Sequence, residues 1–311
     1  MPIHLVTSYK CNKDCTYCIT KNYNSKFNDE MSLSDIETVI EWLTRQNIRH
    51  ISLAGGEPTF YSKFKEMVPL FKKHNIKISL LTNALFSKDI QESIDPTVIS
   101  ECCINIDPKD TYSEGQFELL DRNIKLIREK IKEIHLSYNI SKSNLDYKYY
   151  LDACERYGIN KIRFSLVAPN KSKNNDYILE NELKSYVPIM IEFVKEAVKS
   201  KYELILDFPM PYCIFSSTER DFLKKKAGLH GKCSSGVDFI TINPDKTVFA
   251  CAPLLIKGPD ITTFFSINQV HDYFRDATDS LRWNKFLFTK CKSCLFRRRK
   301  ECQGGCLCYK E

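Results

Sequence analysis

The sequence predicts an α/β fold, a partial (β/α)6 barrel followed by a small cysteine-rich α+β region. Short β-branched and apolar runs alternate with amphipathic helical patterns over roughly the first 200 of the 311 residues, which is typical of parallel βαβ units. The predicted strands number six, fewer than the eight of a closed barrel. Beyond about residue 202 the alternation stops, and cysteine and glycine become more frequent.

Each predicted element has a local signal in the sequence. The strands are short apolar runs at 3–8, 51–54, 76–82, 102–106, 134–140 and 162–167. Ser32 and Ser34 are candidate N-caps of a first helix that ends near Arg45. Further helices follow from apolar residues at helical spacing, at 64–74, 117–130, 145–157 and 181–199. We therefore predict two domains, residues 1–203 and 204–311.

Composition limits the cellular setting and the partners. The net charge is +7, yet the longest basic run is residues 297–300 and no nucleic-acid recognition motif is present, so a nucleic-acid partner is not expected. No apolar run reaches the ~20 residues of a membrane-spanning helix. The first residues lack the basic-then-apolar layout of a signal peptide. A cytoplasmic protein is the expectation.

The 14 cysteines are unusual for such a chain, and most cluster near its two ends. In a reducing compartment this clustering indicates metal ligation or catalysis. Cys11, Cys15 and Cys18 follow the first strand with C-x3-C-x2-C spacing. Three thiolates can hold a [4Fe–4S] cluster and leave one iron open. A zinc site is the alternative, but zinc normally needs a fourth protein ligand, and no further His or Cys lies nearby.

With Gly55-Gly56-Glu57-Pro58 at the end of the second strand, the sequence resembles the radical SAM superfamily over roughly residues 1–200. The resemblance implies that S-adenosylmethionine (SAM) binds the open iron and is cleaved reductively to a 5′-deoxyadenosyl radical. It also implies that the glycine-rich segment contacts the amino group of SAM. Glycines let backbone carbonyls approach a ligand, and Glu57 adds an acceptor for a cationic amine. Taken alone, this segment is equally a tight turn before a helix.

Further SAM contacts are predicted at single positions. Tyr17 lies between the last two cysteines and packs either near the adenine of SAM or in the core. Polar residues at the ends of later strands are candidates for the ribose or carboxylate, with ordinary loop or barrel roles as the alternative: Asn83, Asp107 and Ser137.

The C-terminal cysteines resemble those of the SPASM and twitch extensions of some radical SAM proteins. They are Cys213, Cys233, Cys251, Cys291, Cys294, Cys302, Cys306 and Cys308. The turn at residues 243–245 is expected to deliver Cys251 on a strand. The sequence departs from the usual SPASM and twitch pattern in two ways. Lys246 stands where a Gly is usual, and the late cysteine of that pattern is missing, with Cys308 as the candidate to replace it.

The resemblance implies one or two auxiliary [4Fe–4S] clusters, and the ligand sets stay open. One assignment gives two clusters, the first held by Cys233, Cys251 and Cys306 with Cys213, the second by Cys291, Cys294, Cys302 and Cys308. The other gives a single cluster held by Cys233, Cys251, Cys291 and Cys294. A zinc knuckle of Cys291, Cys294, Cys302 and Cys306 is the alternative. Cys213 is either a ligand or a hydrogen-atom donor, whereas Cys102, Cys103 and Cys154 are expected in the core.

The resemblance predicts a radical SAM enzyme, most often one that modifies a ribosomally made peptide or a protein side chain by maturation, cross-linking or epimerisation. An alternative substrate is a sugar or aminoglycoside-like small molecule. The expected electron donor is of the flavodoxin or ferredoxin type. The non-enzymatic alternatives are an iron–sulfur electron carrier and a zinc-stabilised binding protein. The glycine-rich segment and the barrel pattern favour the enzyme, since an electron carrier needs neither.

Overall fold

The computed structural model describes residues 3–23, 27 and 29–310. The chain divides into two compact units, and each unit contains more than one segment. The first unit comprises Met1–Cys15, Thr20–His135 and Ser235–Arg275. The second comprises Thr16–Ile19, Leu136–Ser234 and Asp276–Glu311.

Strands and helices alternate through most of the chain. The strands are β1 Ile3–Val6, β2 His50–Ala54, β3 Lys77–Thr82, β4 Ile99–Asn105, β5 Glu133–Ile140, β6 Lys161–Leu166, β7 Glu203–Leu206, β8 Ile240–Ile242, β9 Thr247–Cys251 and β10 Ile256–Asp260. The α-helices are α1 Leu33–Arg45, α2 Phe64–Lys73, α3 Gln116–Lys130, α4 Tyr147–Tyr157, α5 Val187–Lys199, α6 Ser217–Ala227, α7 Ile267–Asp279 and α8 Leu295–Arg298.

The first unit is built on a sheet in which β1 to β4 are parallel neighbours in chain order. Strand β8 pairs in parallel with the other edge of β1, and β9 and β10 continue the sheet as antiparallel strands. The turn between β8 and β9 delivers Cys251 as the last residue of β9, as predicted. Helix α1 packs its fully buried Trp42 inward, and the Trp42 indole N–H donates to the Phe264 carbonyl at 2.8 Å.

The second unit contains most of β5, from Leu136 onward, together with β6 and β7, and the three strands are parallel. Its core is aromatic, because α4 and α5 place rings against these strands. The ring centroids of Tyr138 and Tyr150 lie 4.1 Å apart, and those of Phe164 and Phe193 lie 5.1 Å apart. Between residues 280 and 310 the chain forms only short helical turns, so this end of the unit has little regular structure to hold it.

All six predicted strands are present, with ends shifted by at most a few residues. Ser32 caps α1 as predicted, and its hydroxyl accepts from the Asp35 N–H at 3.0 Å. Strand β7 was not predicted, because it has four residues and only Leu204 and Leu206 face inward. It begins where the predicted domain boundary falls. No helix among the described residues is long and apolar enough to cross a membrane.

Candidate functional site

The first three cysteines lie in the loop after β1, where the carboxyl end of a parallel strand typically contributes to ligand sites. Cys11 is exposed, whereas Cys15 and Cys18 are partly buried. Cys11 and Cys15 belong to the first unit, and Cys18 belongs to the second.

The glycine-rich segment after β2 is hydrogen-bonded to the residues that precede Cys11. The Gly56 N–H donates to the Ser8 carbonyl at 3.0 Å, and the Glu57 N–H donates to the Lys10 carbonyl at 2.9 Å. A Cβ atom on Gly56 would lie 2.1 Å from the Lys10 oxygen, and one on Gly55 would lie 2.4 Å from the Ser8 oxygen. The two glycines therefore allow two backbones to meet directly, and this contact fixes the chain that enters the cysteine loop.

Glu57 is fully buried and joins this segment to the end of β3. Its carboxylate accepts from the Thr59 N–H at 3.1 Å, the Thr59 hydroxyl at 2.6 Å, the Thr82 hydroxyl at 2.7 Å and the Asn83 N–H at 2.7 Å. Burial raises the pKa of Glu57, and these four donors act against that rise. The contacts of Glu57 are thus with the chain's own donors, and its predicted contact with the amine of SAM stays a prediction. Pro58 begins a short 3-10 turn.

Asn83 lies against the cysteine loop. Its amide donates to the Asn12 side-chain oxygen at 2.9 Å and lies 3.8 Å from the Cys11 sulfur. The Asn12 amide donates in turn to the Leu85 carbonyl at 2.7 Å. Asn83 therefore holds the start of the loop against the chain after β3, which the sequence analysis did not foresee.

Asp107 forms a buried ion pair with a residue inside the cysteine motif. The Lys13 ammonium lies 2.6 Å from the Asp107 carboxylate, and the two side chains are only 8% and 5% exposed. The same ammonium lies 3.6 Å from the centroid of the Tyr112 ring. The Cys15 sulfur lies 4.0 Å from Asp107. Asp107 was expected near the site from the sequence, whereas Lys13 and Tyr112 were not, although Lys13 lies between Cys11 and Cys15.

The second unit holds the remainder of the loop through main-chain oxygens. The Thr16 carbonyl accepts from the Asp176 N–H at 2.8 Å, and the Tyr17 carbonyl accepts from the Asn175 amide at 3.3 Å. Tyr17 is partly buried, as is Ser137 on β5. The predicted roles of both side chains toward SAM stay predictions.

Four C-terminal thiols of the second unit line one cavity. The lining residues are Pro211, Tyr212, Cys213, Cys291, Cys294, Phe296, Arg297, Cys302 and Gly304. Neither assignment made from the sequence placed Cys213 with Cys291. In their present conformations, no three His, Cys, Asp or Glu side chains of the described residues form a site for a single metal ion.

Positive groups surround these thiols. The buried Lys310 ammonium donates to the carbonyls of Leu281 and Arg282, each at 3.2 Å, and to that of Gln303. Burial lowers the pKa of Lys310 to about 8, with Cys291 among the groups that act in the opposite direction. Burial raises the pKa of the Cys213 thiol, whereas Lys290 lowers it.

The remaining cysteines are distributed more simply. Cys233, Cys306 and Cys308 belong to the second unit outside the cavity lining, whereas Cys251 is buried in the first unit. Cys102, Cys103 and Cys154 are buried in β4 and α4, as predicted. Burial raises the pKa of Cys154 to about 12, which keeps this thiol protonated and inert.

Comparison with known protein families matches residues 5–98 to the radical SAM superfamily. A probable GTP 3′,8-cyclase of Methanococcus aeolicus is 23% identical over 161 residues, which cover 48% of this chain and 54% of that protein. The radical SAM cyclopropyl synthase TigE of Paramaledivibacter caminithermalis is 25% identical over 281 residues, covering 80% of this chain and 57% of TigE. The chain thus spans little more than half of these curated relatives.

Solved structures match the fold over nearly the whole chain. SuiB of Streptococcus suis, bound to its precursor peptide SuiA, superposes with a TM-score of 0.71 at 16% identity, covering 98% of this chain and 71% of SuiB. The protein anSMEcpe, with bound SAM and the peptide Kp18Cys, superposes with a TM-score of 0.70 at 18% identity, covering 98% and 89%. Both are radical SAM proteins of the SPASM or twitch type, so the predicted fold class is confirmed. Residues 5–98 of the chain are therefore similar to the radical SAM superfamily, and the fold of the chain is that of superfamily members with a SPASM- or twitch-type extension.

Proposed function

We propose that this protein is an enzyme that cleaves SAM reductively with a [4Fe–4S] cluster held by Cys11, Cys15 and Cys18. The observation that carries the proposal is the pair of backbone hydrogen bonds between the glycine-rich segment and the residues just before Cys11. Those bonds tie the predicted SAM-binding segment to the predicted cluster loop within one unit. Donation of one electron to SAM breaks a C–S bond and yields methionine and the 5′-deoxyadenosyl radical. The radical then takes a hydrogen atom from the substrate to form 5′-deoxyadenosine.

The cluster, when bound, supplies the electron and an open iron for SAM. The chain's own residues position the reactants. Carbonyls of the Gly55–Gly56 segment are suited to accept from the SAM amine, while Glu57 holds that segment in place. Asn83 and the Lys13–Asp107 ion pair hold the cysteine loop. We assign Tyr17 to the adenine and Ser137 to the ribose or carboxylate.

We further propose a peptide or protein side chain as the substrate. This is supported by the likeness over 98% of the chain to SuiB bound to a precursor peptide and to anSMEcpe bound to a peptide. At least one auxiliary [4Fe–4S] cluster, in residues 204–311, would accept or relay an electron after hydrogen abstraction. The electron donor is expected to be of the flavodoxin or ferredoxin type, and the setting cytoplasmic.

The test is formation of 5′-deoxyadenosine from SAM by anaerobically reconstituted, dithionite-reduced protein. Cys15→Ala is expected to abolish this activity, because it removes a cluster ligand. Cys154→Ala is the matched control, because it removes a buried thiol from α4 and is expected to leave the rate within a factor of two. Unchanged SAM cleavage in the Cys15→Ala protein would refute the assignment. Iron-loaded protein that never forms the product would indicate an electron carrier, and bound zinc without iron a zinc-stabilised binding protein.

The substrate class has its own test. Candidate precursor peptides and aminoglycoside-type sugars, deuterated at carbon, are added to the reconstituted enzyme. Deuterium transfer into 5′-deoxyadenosine from a peptide alone would support the peptide proposal. Transfer from the sugar alone would favour the small-molecule alternative.

A further inference from the structure

We propose that Cys213, Cys291, Cys294 and Cys302 together ligate one auxiliary [4Fe–4S] cluster, with Cys213 as the fourth thiolate. The proposal deepens the proposed function and rests on it only for the kind of group that is bound. It differs from both ligand sets that the spacing suggested, because neither set joins Cys213 to Cys291, Cys294 and Cys302.

The four thiols line the same cavity, together with two aromatic side chains, Tyr212 and Phe296. Four thiolates are the usual ligand complement of a closed [4Fe–4S] cluster. The set has no spare position, which fits an auxiliary role and not a second SAM site.

A glycine turn brings the Cys302 segment against the chain before Cys213. Gly305 adopts φ +82, and a Cβ atom there would lie 2.9 Å from the Pro211 ring and 3.2 Å from the Pro209 carbonyl. The segment from Pro209 to Cys213 is therefore packed directly on the turn that follows Cys302. The Gly304 N–H donates to the Cys302 sulfur at 3.3 Å. Such N–H···S bonds stabilise thiolates that bind clusters.

Cys291 and Cys294 line the same cavity from a separate short turn. The Cys294 N–H donates to the Cys291 carbonyl at 3.4 Å, so the two residues lie on one helical turn. The Lys290 ammonium lies 3.5 Å from the Cys213 carbonyl, and the rings of Tyr212 and Phe296 meet edge to face at 5.4 Å. Contacts on both sides of the cavity thus hold the two chain segments together.

Cations near the four thiols favour a negatively charged group in the cavity. The Lys310 ammonium is buried and donates hydrogen bonds to neutral carbonyls, and the Arg297 guanidinium lines the cavity. A buried cation is costly without a nearby negative charge. Four thiolates around a cluster carry net negative charge, so the proposed group would compensate the cations that surround it.

The ligand set has two consequences. Cys213 is committed to the cluster and is not a hydrogen-atom donor to substrate. Cys308 is not a ligand of this site.

The test uses the full chain with all three radical SAM cysteines replaced by alanine, so that only auxiliary iron is counted. Adding Cys213→Ala is expected to remove about four irons and their sulfide per chain and to change the Mössbauer and EPR spectra accordingly. Adding Cys154→Ala instead is the matched control and should leave iron and spectra unchanged. Equal iron and spectra in the Cys213→Ala protein would overturn the proposal.

A second measurement needs no variant. The wild-type protein is alkylated with iodoacetamide before and after oxidative removal of its clusters, and the modified cysteines are mapped by mass spectrometry. Joint protection of Cys213, Cys291, Cys294 and Cys302, lost together on cluster removal, is the expected result. Labelling of Cys213 in the loaded protein, or zinc in place of iron, would contradict the proposal. The formation of 5′-deoxyadenosine is measured in parallel, so failure of this ligand set is distinguishable from failure of the proposed function.

Discussion

The two cysteine sites are held by different kinds of structure. The loop of Cys11 and Cys15 follows a strand of a parallel sheet and is anchored by backbone hydrogen bonds, a buried ion pair and two glycines. The cavity of Cys213 and Cys302 lies where regular structure is sparse, and it is formed by short turns, one close glycine contact and buried cations.

This difference indicates how each site should respond to mutation. A loop anchored on a sheet shares the stability of the core, so breaking its anchors should lower the free energy of unfolding of the first unit. A cavity made from turns has few other contacts, so its geometry should depend on the metal group that fills it. Mutations of the contacts that anchor the first site should therefore appear mainly in stability, and mutations of the contacts that form the second mainly in metal content.

The largest effect on stability is expected from Lys13→Met. The Lys13–Asp107 pair is almost completely buried, so removing the cation leaves an uncompensated carboxylate at a cost of about 3–5 kcal/mol. Chemical denaturation of the apo-protein measures the loss. The double variant Lys13→Met with Asp107→Leu should lose clearly less than the two single variants summed. Additive losses would show that the pair does not act as a unit.

The next largest effect on stability is expected from Gly56→Ala. The free energy of unfolding should fall by about 1–3 kcal/mol, because a Cβ atom 2.1 Å from the Lys10 carbonyl oxygen forces two backbones apart. Gly228→Ala is the control: this glycine ends α6 with φ +71 and has open space around it. Thermal unfolding of the apo-proteins compares the two. An equal loss in both variants would mean that the close approach after β2 contributes little.

At the second site, Gly305→Ala should lower auxiliary iron content more than stability. Gly228→Ala is the matched control, since Gly305 and Gly228 have φ +82 and +71 and a similar backbone cost for alanine, and Gly228 has open space around it. Only Gly305 lies against Pro211, so the difference between the variants isolates that contact. We expect the Gly305→Ala protein to retain less than half of the auxiliary iron of the Gly228→Ala protein. Equal iron would argue against the packing that brings Cys302 to Cys213.

The smallest effect is expected at Lys246, which occupies a turn position at φ +61 where glycine is usual. Its ammonium pairs with Asp35 at the start of α1 and lies 3.8 Å from Asp260. Because both partners are partly exposed, Lys246→Ala should cost only about 0–1 kcal/mol. Lys246→Gly should cost less, since glycine removes the backbone strain.

The same pair gives a pH dependence with a defined sign. The hydrogen bond from Lys246 is the main cause that lowers the pKa of Asp35. The pair therefore stabilises the folded protein above the ordinary pKa of an aspartate, and this contribution is lost as the pH falls through the lowered value. Urea denaturation should show the wild type and Lys246→Ala proteins converging below about pH 4. A stability difference that persists at lower pH would exclude the ion pair as its source.

Much of the fold was predictable because its signals are local. The strand–helix alternation, the Ser32 cap and the turn before Cys251 each depend on neighbouring residues, and all are present. Strand β7 was missed because four residues with two apolar positions carry too little pattern. The contribution of β8 to β10 to the sheet of the first unit was also missed, because strand pairing across more than 200 residues leaves no local signal.

The sequence by itself indicated the likeness to the radical SAM superfamily, the cysteine triplet after β1 and the order of the first six strands, since these depend on spacing along the chain and on side-chain periodicity. Only the tertiary structure decided that Lys13 pairs with Asp107, that Glu57 is occupied by the chain's own donors, and that Cys213 lies with Cys291, Cys294 and Cys302. Those partners are far apart in the chain, and each has several alternatives of the same chemistry. Which partner is used depends on packing, close backbone approach and the compensation of buried charge. These interactions exist only in the folded chain.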